Sequence, residues 1–301
     1  MKNETDSNGP YLGINLWNWE RGLGAGCLGL PEKVKELGYS SIEIPMTEDK
    51  TKAVFSDEIR ASGLYVTQCA SLPKGMDLSS FETEEQTRAM HRLTENLKCG
   101  EQMGSHLLCG ALYTGGGKCH YLDENARKRE WDYAVKNLRK LSKIAAECGI
   151  YLALEPLNHF RTSVCNTSGQ VLQMVKDIGE SNVGLHYDLF HASIEELDLY
   201  GSLEMALQSG KLYHLHAAAN NRGVPGQGIL PWEDIFSLLG KYSYQKCITI
   251  ESFVYGGLDS SYYRVFGSPD EQASIGIVNM KNYMKQYNAE VKHAAENVSG
   301  T

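Results

Sequence analysis

The sequence predicts an α/β protein folded as one (β/α)8 barrel. Three observations predict it. Eight short apolar runs recur along the 301 residues, and helix-like stretches lie between them. The β-branched and aromatic content of the runs, and their length, favour strands over helices. No linker divides the chain into halves, and strands buried on both faces read as near-continuous apolar runs, as these do. The length suits a single barrel domain over residues 11–301 behind a disordered leader at 1–10. An open doubly wound sheet competes. No Gly-x-Gly-x-x-Gly follows the first run, which weakens that reading.

In chain order the runs are GINLW (13–17), SIEIPM (41–46), YVTQCAS (65–71), SHLLCGAL (105–112), IYLALEP (150–156), VGLHYD (183–188), LYHLHAA (212–218) and CITIESF (247–253). Among the helices, PEKVKELG (31–38) opens on Pro and stops at Gly. The stretch 124–149 is long, amphipathic and again ends at Gly. In SGQVLQMVKDIG (168–179), Ser168 reads as the N-cap and Gly179 as the stop. A last helix runs from about Asp270 to Ala295. TGGGKC (114–119) lacks the spacing and hydroxyl of a phosphate loop and reads as a mobile βα loop.

Composition narrows the function classes. The net charge of −8 disfavours a nucleic-acid or anionic-membrane surface. No 18-residue apolar stretch predicts a membrane span, and the polar start MKNETDSNGPY is no secretory signal. Eight cysteines occur without a C-x-x-C pair; three of them, Cys69, Cys109 and Cys247, lie in predicted strands, where a thiol packs as a small apolar group. Reduced thiols and a cytoplasmic location are expected.

In such a barrel, chemistry sits where the strands end. The fifth run carries Glu155 at its end, the sixth Asp188 and the eighth Glu251. The seventh carries His214 and His216, which alternation points the same way. Four consecutive strands thus deliver Glu, Asp, His and Glu to one rim. Three carboxylates packed together repel unless a cation sits between them. Three oxygen ligands and an imidazole suit one divalent ion, Mn²⁺ first, with Co²⁺ or Mg²⁺ also compatible. His186 and His214, two residues below Asp188 and His216, read as packed core or as partners of the ligands.

The segments LALEPLN (152–158), GLHYDLFHASIEE (184–196), HLHAAANNRGVPGQGILPW (214–232) and ESF (251–253) resemble those of the xylose-isomerase-like TIM barrels, most closely the ketose 3-epimerases of the D-tagatose/D-allulose type. The resemblance is best in the C-terminal half. It implies Glu155, Asp188, His216 and Glu251 as metal ligands, with Glu155 and Glu251 also the acid/base pair. It implies His191 and Arg222 as groups that hold substrate hydroxyls, and Phe253 as pocket wall. Trp232 reads as loop packing. The chain departs from the family in its substrate shell. A Glu usually stands six residues after the first metal Glu, where this chain has Arg161. Ala218-Ala219-Asn220-Asn221-Arg222 replaces the common Gly-Glu-x-Asn-Arg, and the fourth-strand loop lacks the frequent Pro and Trp. His159 and Arg161 join the expected substrate-binding set.

The implied chemistry is proton abstraction beside a carbonyl, stabilised as an enediolate. Return of the proton on the opposite face makes a ketose 3-epimerase or isomerase. Expulsion of an aglycone from a 3-keto glycoside makes a lyase, as in C-glycoside deglycosidase catalytic subunits that work with a smaller partner. A carbohydrate-binding barrel without turnover is a third reading, disfavoured by the complete ligand set. Free sugars are preferred because no phosphate cradle is evident after strands 7 and 8, although GGLDSSYYR (256–264) could hold one. The expected partners are a small sugar or glycoside and further copies of the chain, or a smaller subunit for the lyase.

Overall fold

A computed structural model describes residues 9–20, 25–46, 52–253 and 267–299. Most of the expected leader and the whole of 256–264 lie outside the described residues; Gly9 and Pro10, at the leader's end, are buried. Eight parallel strands close into a barrel in sequence order. They are β1 (Tyr11–Asn15), β2 (Ser41–Pro45), β3 (Tyr65–Cys69), β4 (Leu107–Gly110), β5 (Tyr151–Leu154), β6 (Val183–Asp188), β7 (Leu212–His216) and β8 (Cys247–Ile250). Each overlaps one of the eight apolar runs. Closure comes from β1 against β8, from Tyr11 beside Cys247 to Ile14 beside Ile250.

The helices are α1 (Leu30–Glu36), α2 (Lys52–Ser62), α3 (Thr83–Met103), α4 (Glu124–Glu147), α5 (Ser168–Ile178), α6 (Leu189–Glu195), α7 (Leu199–Gln208), α8 (Trp232–Lys241) and α9 (Pro269–Ser299). None among the described residues is long and apolar enough to cross a membrane. Their apolar faces pack on the outer faces of the strands and make the main core, with Ile42, Ile44, Leu108, Leu152, Leu154, Leu185, Ile248 and Ile250 from the barrel wall.

Two local expectations change. The N-cap of α5 is Thr167, not Ser168. Thr167 and Gln170 form a reciprocal capping box, and the Ser168 hydroxyl donates to Glu196 instead at 2.7 Å. The 114–119 stretch is pinned rather than mobile. Gly116 N donates to Leu72 O at 2.8 Å, and the Lys118 ammonium lies 2.8 Å from Asp77 and 2.7 Å from Glu130, all three side chains largely buried.

Inside the barrel the alternation of strands brings an unusually polar set inward. Asn15, Glu43, Thr67, Cys69, Cys109, His186, His214, His216, Cys247 and Thr249 are all buried. This explains why the inner positions of the runs read Glu, Thr, Cys and His, while the outer ones read Ile, Val and Leu. Toward the lower end, Gly184 is obligatory in a specific sense. A Cβ there would stand 2.4 Å from the Tyr213 ring and 2.6 Å from Lys211 O. Its absence lets Tyr213 lie against β6 and donate to Ser181 O at 2.7 Å.

Candidate metal centre and active site

Glu155, Asp188, His216 and Glu251 come together at the C-terminal mouth of the barrel. All four are buried, at 6%, 1%, 0% and 4% exposure. Glu155 and Glu251 lie one residue beyond their strands; Glu155 N still donates to Gly110 O at 3.0 Å, so the ladder continues under it. Ligand atoms from Asp188, His216 and Glu251 lie within 4.8 Å of one another, as do those from Glu155, Asp188 and His191. Asp188 belongs to both triples and is the centre of the cluster.

Local structure fixes each group. Asp188 caps α6: its Oδ1 accepts from Phe190 N at 2.6 Å and His191 N at 3.3 Å. That leaves Oδ2 facing His216 Nδ1 at 3.8 Å, and Glu251 Oε1 approaches the same nitrogen at 3.5 Å. His216 Nε2 is held on the other side by Glu43 Oε1 at 2.7 Å. With Nε2 turned to Glu43, Nδ1 faces two carboxylates, buried and with no hydrogen-bond partner, and it can offer a lone pair to a cation that displaces its proton. An orphaned imidazole nitrogen among carboxylate oxygens is the donor set of a divalent cation with hard ligands, so these residues fit the expected metal.

Glu43 is the group that sequence reading missed. It is wholly buried and accepts from Asn15 Nδ2 at 2.8 Å and from the Thr67 hydroxyl at 3.0 Å, besides its contacts with His214 and His216. The signal was present: a carboxylate at the centre of SIEIP cannot stay unpaired inside a barrel.

The electrostatics are strongly coupled. Burial, then the neighbouring Asp188 and Glu251, push the Glu155 carboxyl well above its usual range. Burial would also raise Asp188, but the Arg222 guanidinium and His216 hold it well below. Burial opposes a charge on His216, yet Glu43 and Glu251 hold it well above the usual imidazole value. Without a bound cation the site therefore gathers protons and an arginine: Arg222 Nη1 sits 3.1 Å from Asp188 Oδ2 and 2.7 Å from Glu251 Oε2.

Above the cluster opens a half-open cavity with both polar and apolar walls. Glu155, Glu251, His191, Arg222, Phe253 and Arg161 all line it; Asp188 and His216 lie beneath. His191 Nδ1 accepts from Asn158 N at 3.0 Å, and its Nε2 lies 3.2 Å from Arg222 Nη2 and 3.9 Å from Glu155. Arg222 reaches in from a tight turn at left-handed φ 60, its guanidinium 3.8 Å from the Phe190 ring centroid and 5.3 Å from that of Phe253. Such a backbone costs an arginine on the order of 1 kcal/mol or more, a cost typical of functional sites. Trp17, passed over in the first run, stacks on Phe253 at 5.4 Å and completes the apolar wall. His159 lies elsewhere. Its exposed ring sits 2.5 Å from Glu195 and outside the cavity lining, because Asn158 turns the chain outward there. Trp232 is buried against its loop and donates to Gln227 O at 3.2 Å, as expected of a packing residue.

Comparison with known proteins places this architecture. The family model described as xylose isomerase-like TIM barrel matches residues 31–282. The chain is 31% identical over 256 residues to a D-psicose 3-epimerase of Enterocloster bolteae, covering 83% of this chain and 84% of the relative. It is 30% identical over 242 residues to the 3-dehydro-D-guloside 4-epimerase of Escherichia coli, covering 77% and 88%. A solved L-ribulose 3-epimerase superposes with a TM-score of 0.86 at 23% identity, over 96% of this chain and 98% of that one, which shows the shared fold. A closed barrel in sequence order, an acidic cluster at its C-terminal mouth and these matches lead to one conclusion: the chain belongs to the xylose isomerase-like TIM barrel family.

Proposed function

We propose that the protein is a divalent-metal-dependent ketose 3-epimerase acting on a free keto sugar. The observation that carries the reading is the division of the acidic cluster. Glu155 and Glu251 face the cavity, whereas Asp188 and His216 lie beneath it, sealed from solvent. Glu155, Asp188, His216 and Glu251 would hold the cation, and a divalent ion there supplies Lewis-acid stabilisation of charge on the sugar's oxygens.

The chain's own residues do the rest. Glu155 and Glu251 follow β5 and β8, which are not neighbours in the barrel, and both line the cavity. One carboxylate takes the proton from the carbon beside the carbonyl, and the other returns one to the opposite face, inverting that carbon. His191 and Arg222, neighbours at 3.2 Å on the cavity wall, hold the sugar's hydroxyls. Trp17 and Phe253 exclude water and offer an apolar face to the ring carbons.

Mn²⁺ is the first choice of ion, since the donors are hard oxygens and one imidazole. A second reading has specific support. The similarity to a 3-dehydro-D-guloside 4-epimerase and the glycine-rich wall at Gly115, Gly116 and Gly117 fit a 3-keto glycoside in the same cavity. There the same proton abstraction would end in epimerisation or in loss of an aglycone.

Incubation with D-fructose and D-tagatose in deuterated water tests both. The 3-epimerase incorporates deuterium at C3 and yields a new epimer, and Glu251→Gln loses about 10²–10⁴-fold in rate. No exchange on free ketoses, together with turnover of a 3-keto glycoside, selects the second reading. Full activity in Glu251→Gln removes this carboxylate from the mechanism.

A further inference from the structure

One layer beneath the carboxylates lies a second set of ligating atoms that the sugar chemistry leaves unused. Cys109 on β4, His186 on β6 and His214 on β7 all point into the barrel, and each is 0% exposed. The β6–β7 register sets His186 beside His214, two residues below the Asp188–His216 pair. One ligand atom from each of Cys109, His186, His214 and His216 lies within 4.8 Å of the others. The His186 and His214 rings are 5.0 Å apart, and His186 and His216 4.0 Å.

Three of the ring nitrogens lack ordinary partners, whereas His214 Nε2 lies 2.7 Å from Glu43 Oε2 and Cys109 Sγ donates to the same oxygen at 3.5 Å. Neither ring nitrogen of His186 has a hydrogen bond, and neither does His214 Nδ1. Such an orphan is costly when nothing meets it, and three in one wholly buried cluster is more than native interiors usually carry. Tight packing does not account for them, because an apolar side chain would fill the same space without that cost. Nor does the upper site recruit them. His216 turns its Nδ1 upward and its Nε2 to Glu43, and the three lower residues remain. The donors also differ in kind. The upper cluster is three carboxylates and one imidazole; the lower is one sulfur and two imidazoles, with Glu43 Oε2 3.5 Å from Cys109 Sγ. Sulfur and imidazole select borderline-soft ions such as Zn²⁺, whereas oxygen ligands select Mn²⁺ or Mg²⁺.

We propose that Cys109, His186 and His214 form a second, thiophilic cation site in the barrel interior, which takes Zn²⁺ or Co²⁺ and ties β4, β6 and β7 together. Binding there displaces the Cys109 proton to solvent and leaves a thiolate on the ion. The role is structural, since the site has no face on the cavity. It stands independently of the reaction proposed above.

Cobalt distinguishes the two sites, because only the lower one contains sulfur. Chelator-treated full-length protein is titrated with Co²⁺ without oxygen. A sulfur-to-cobalt charge-transfer band in the near ultraviolet is expected, and it disappears in Cys109→Ser but persists in Cys69→Ser. Metal analysis after equilibration with Zn²⁺ should show one fewer zinc per chain in Cys109→Ser than in the parent. Should that variant fail to fold, the parent alone decides: a band signals the site, and its absence means that internal water meets the histidines. Absence of the band in the parent, its survival in Cys109→Ser, or equal zinc content in both overturns the proposal.

Discussion

Glu43 accepts a 2.7 Å hydrogen bond from Nε2 of His216 in the sealed interior of the barrel. This contact sets which imidazole nitrogen is left for a cation. Groups that orient a metal ligand from behind are typically worth 10–100-fold in affinity. Glu43→Gln, which keeps the shape but not the charge, should weaken Mn²⁺ binding by about 10–100-fold. Titration of free Mn²⁺ by electron paramagnetic resonance reads it, with circular dichroism as the check on folding. Unchanged affinity would show that Glu43 has no bearing on the metal.

Arg222 bridges Asp188 and Glu251 from a largely buried position. Removing one partner of a buried ion pair strands the other charges, at a cost of about 3 kcal/mol or more. Arg222→Ala should therefore lower the melting temperature of chelator-treated protein. Saturating Mn²⁺ should restore more stability to the variant than to the parent, because the cation then meets the same carboxylates. Equal stabilisation of both proteins would mean that the guanidinium and the metal do not answer the same charge.

Arg161 lines the cavity, while His159 faces Glu195 on the outside. Arg161→Ala should raise KM for the true substrate about tenfold or more with little change in kcat, as loss of one charged hydrogen bond implies. His159→Ala should leave both parameters within about twofold, as a surface change does. Steady-state kinetics of the two variants side by side decide it. A large effect from His159 would show that its loop moves into the cavity.

Much of this was legible in the sequence. All eight strands could be placed because apolar runs of the right length repeat with helices between them. The four rim residues followed because each stands at the end of such a run. Glu43 was not found, because an inward carboxylate at mid-strand looks like the polar half of an ordinary alternation until closure shows what surrounds it. Trp17 was lost for a related reason. Its role depends on stacking with Phe253, 236 positions away, and only the β1–β8 closure makes them neighbours. His159 was placed at the substrate by nearness to Glu155 in sequence. The turn at Asn158 separates the two in space.

The thiols offer a test of the interior as a whole. Cys27, Cys69, Cys99, Cys109, Cys165 and Cys247 are buried, Cys148 is half-buried and Cys119 is exposed. Among the buried ones, burial pushes Cys247 up to about 12, and Cys69 stands at about 11, where its hydrogen bond with Cys109 works downward and burial and Glu43 upward. At mildly alkaline pH a thiol reagent should therefore label Cys119 quickly, Cys148 slowly and the other six only after denaturation. Mass spectrometry of the labelled peptides reads the order. Fast labelling of Cys109 or Cys247 in native protein would mean that the barrel interior opens to solvent.

The pairing of Tyr11–Ile14 with Cys247–Ile250 also has a consequence for biosynthesis. A ribosome releases β1 long before β8. Until then the nascent chain carries an unzipped seam, with hydrogen-bonding groups bare along both margins. Shutting the cylinder is thus a late step, and a stalled or prematurely terminated product would engage chaperones rather than settle into a partial native form.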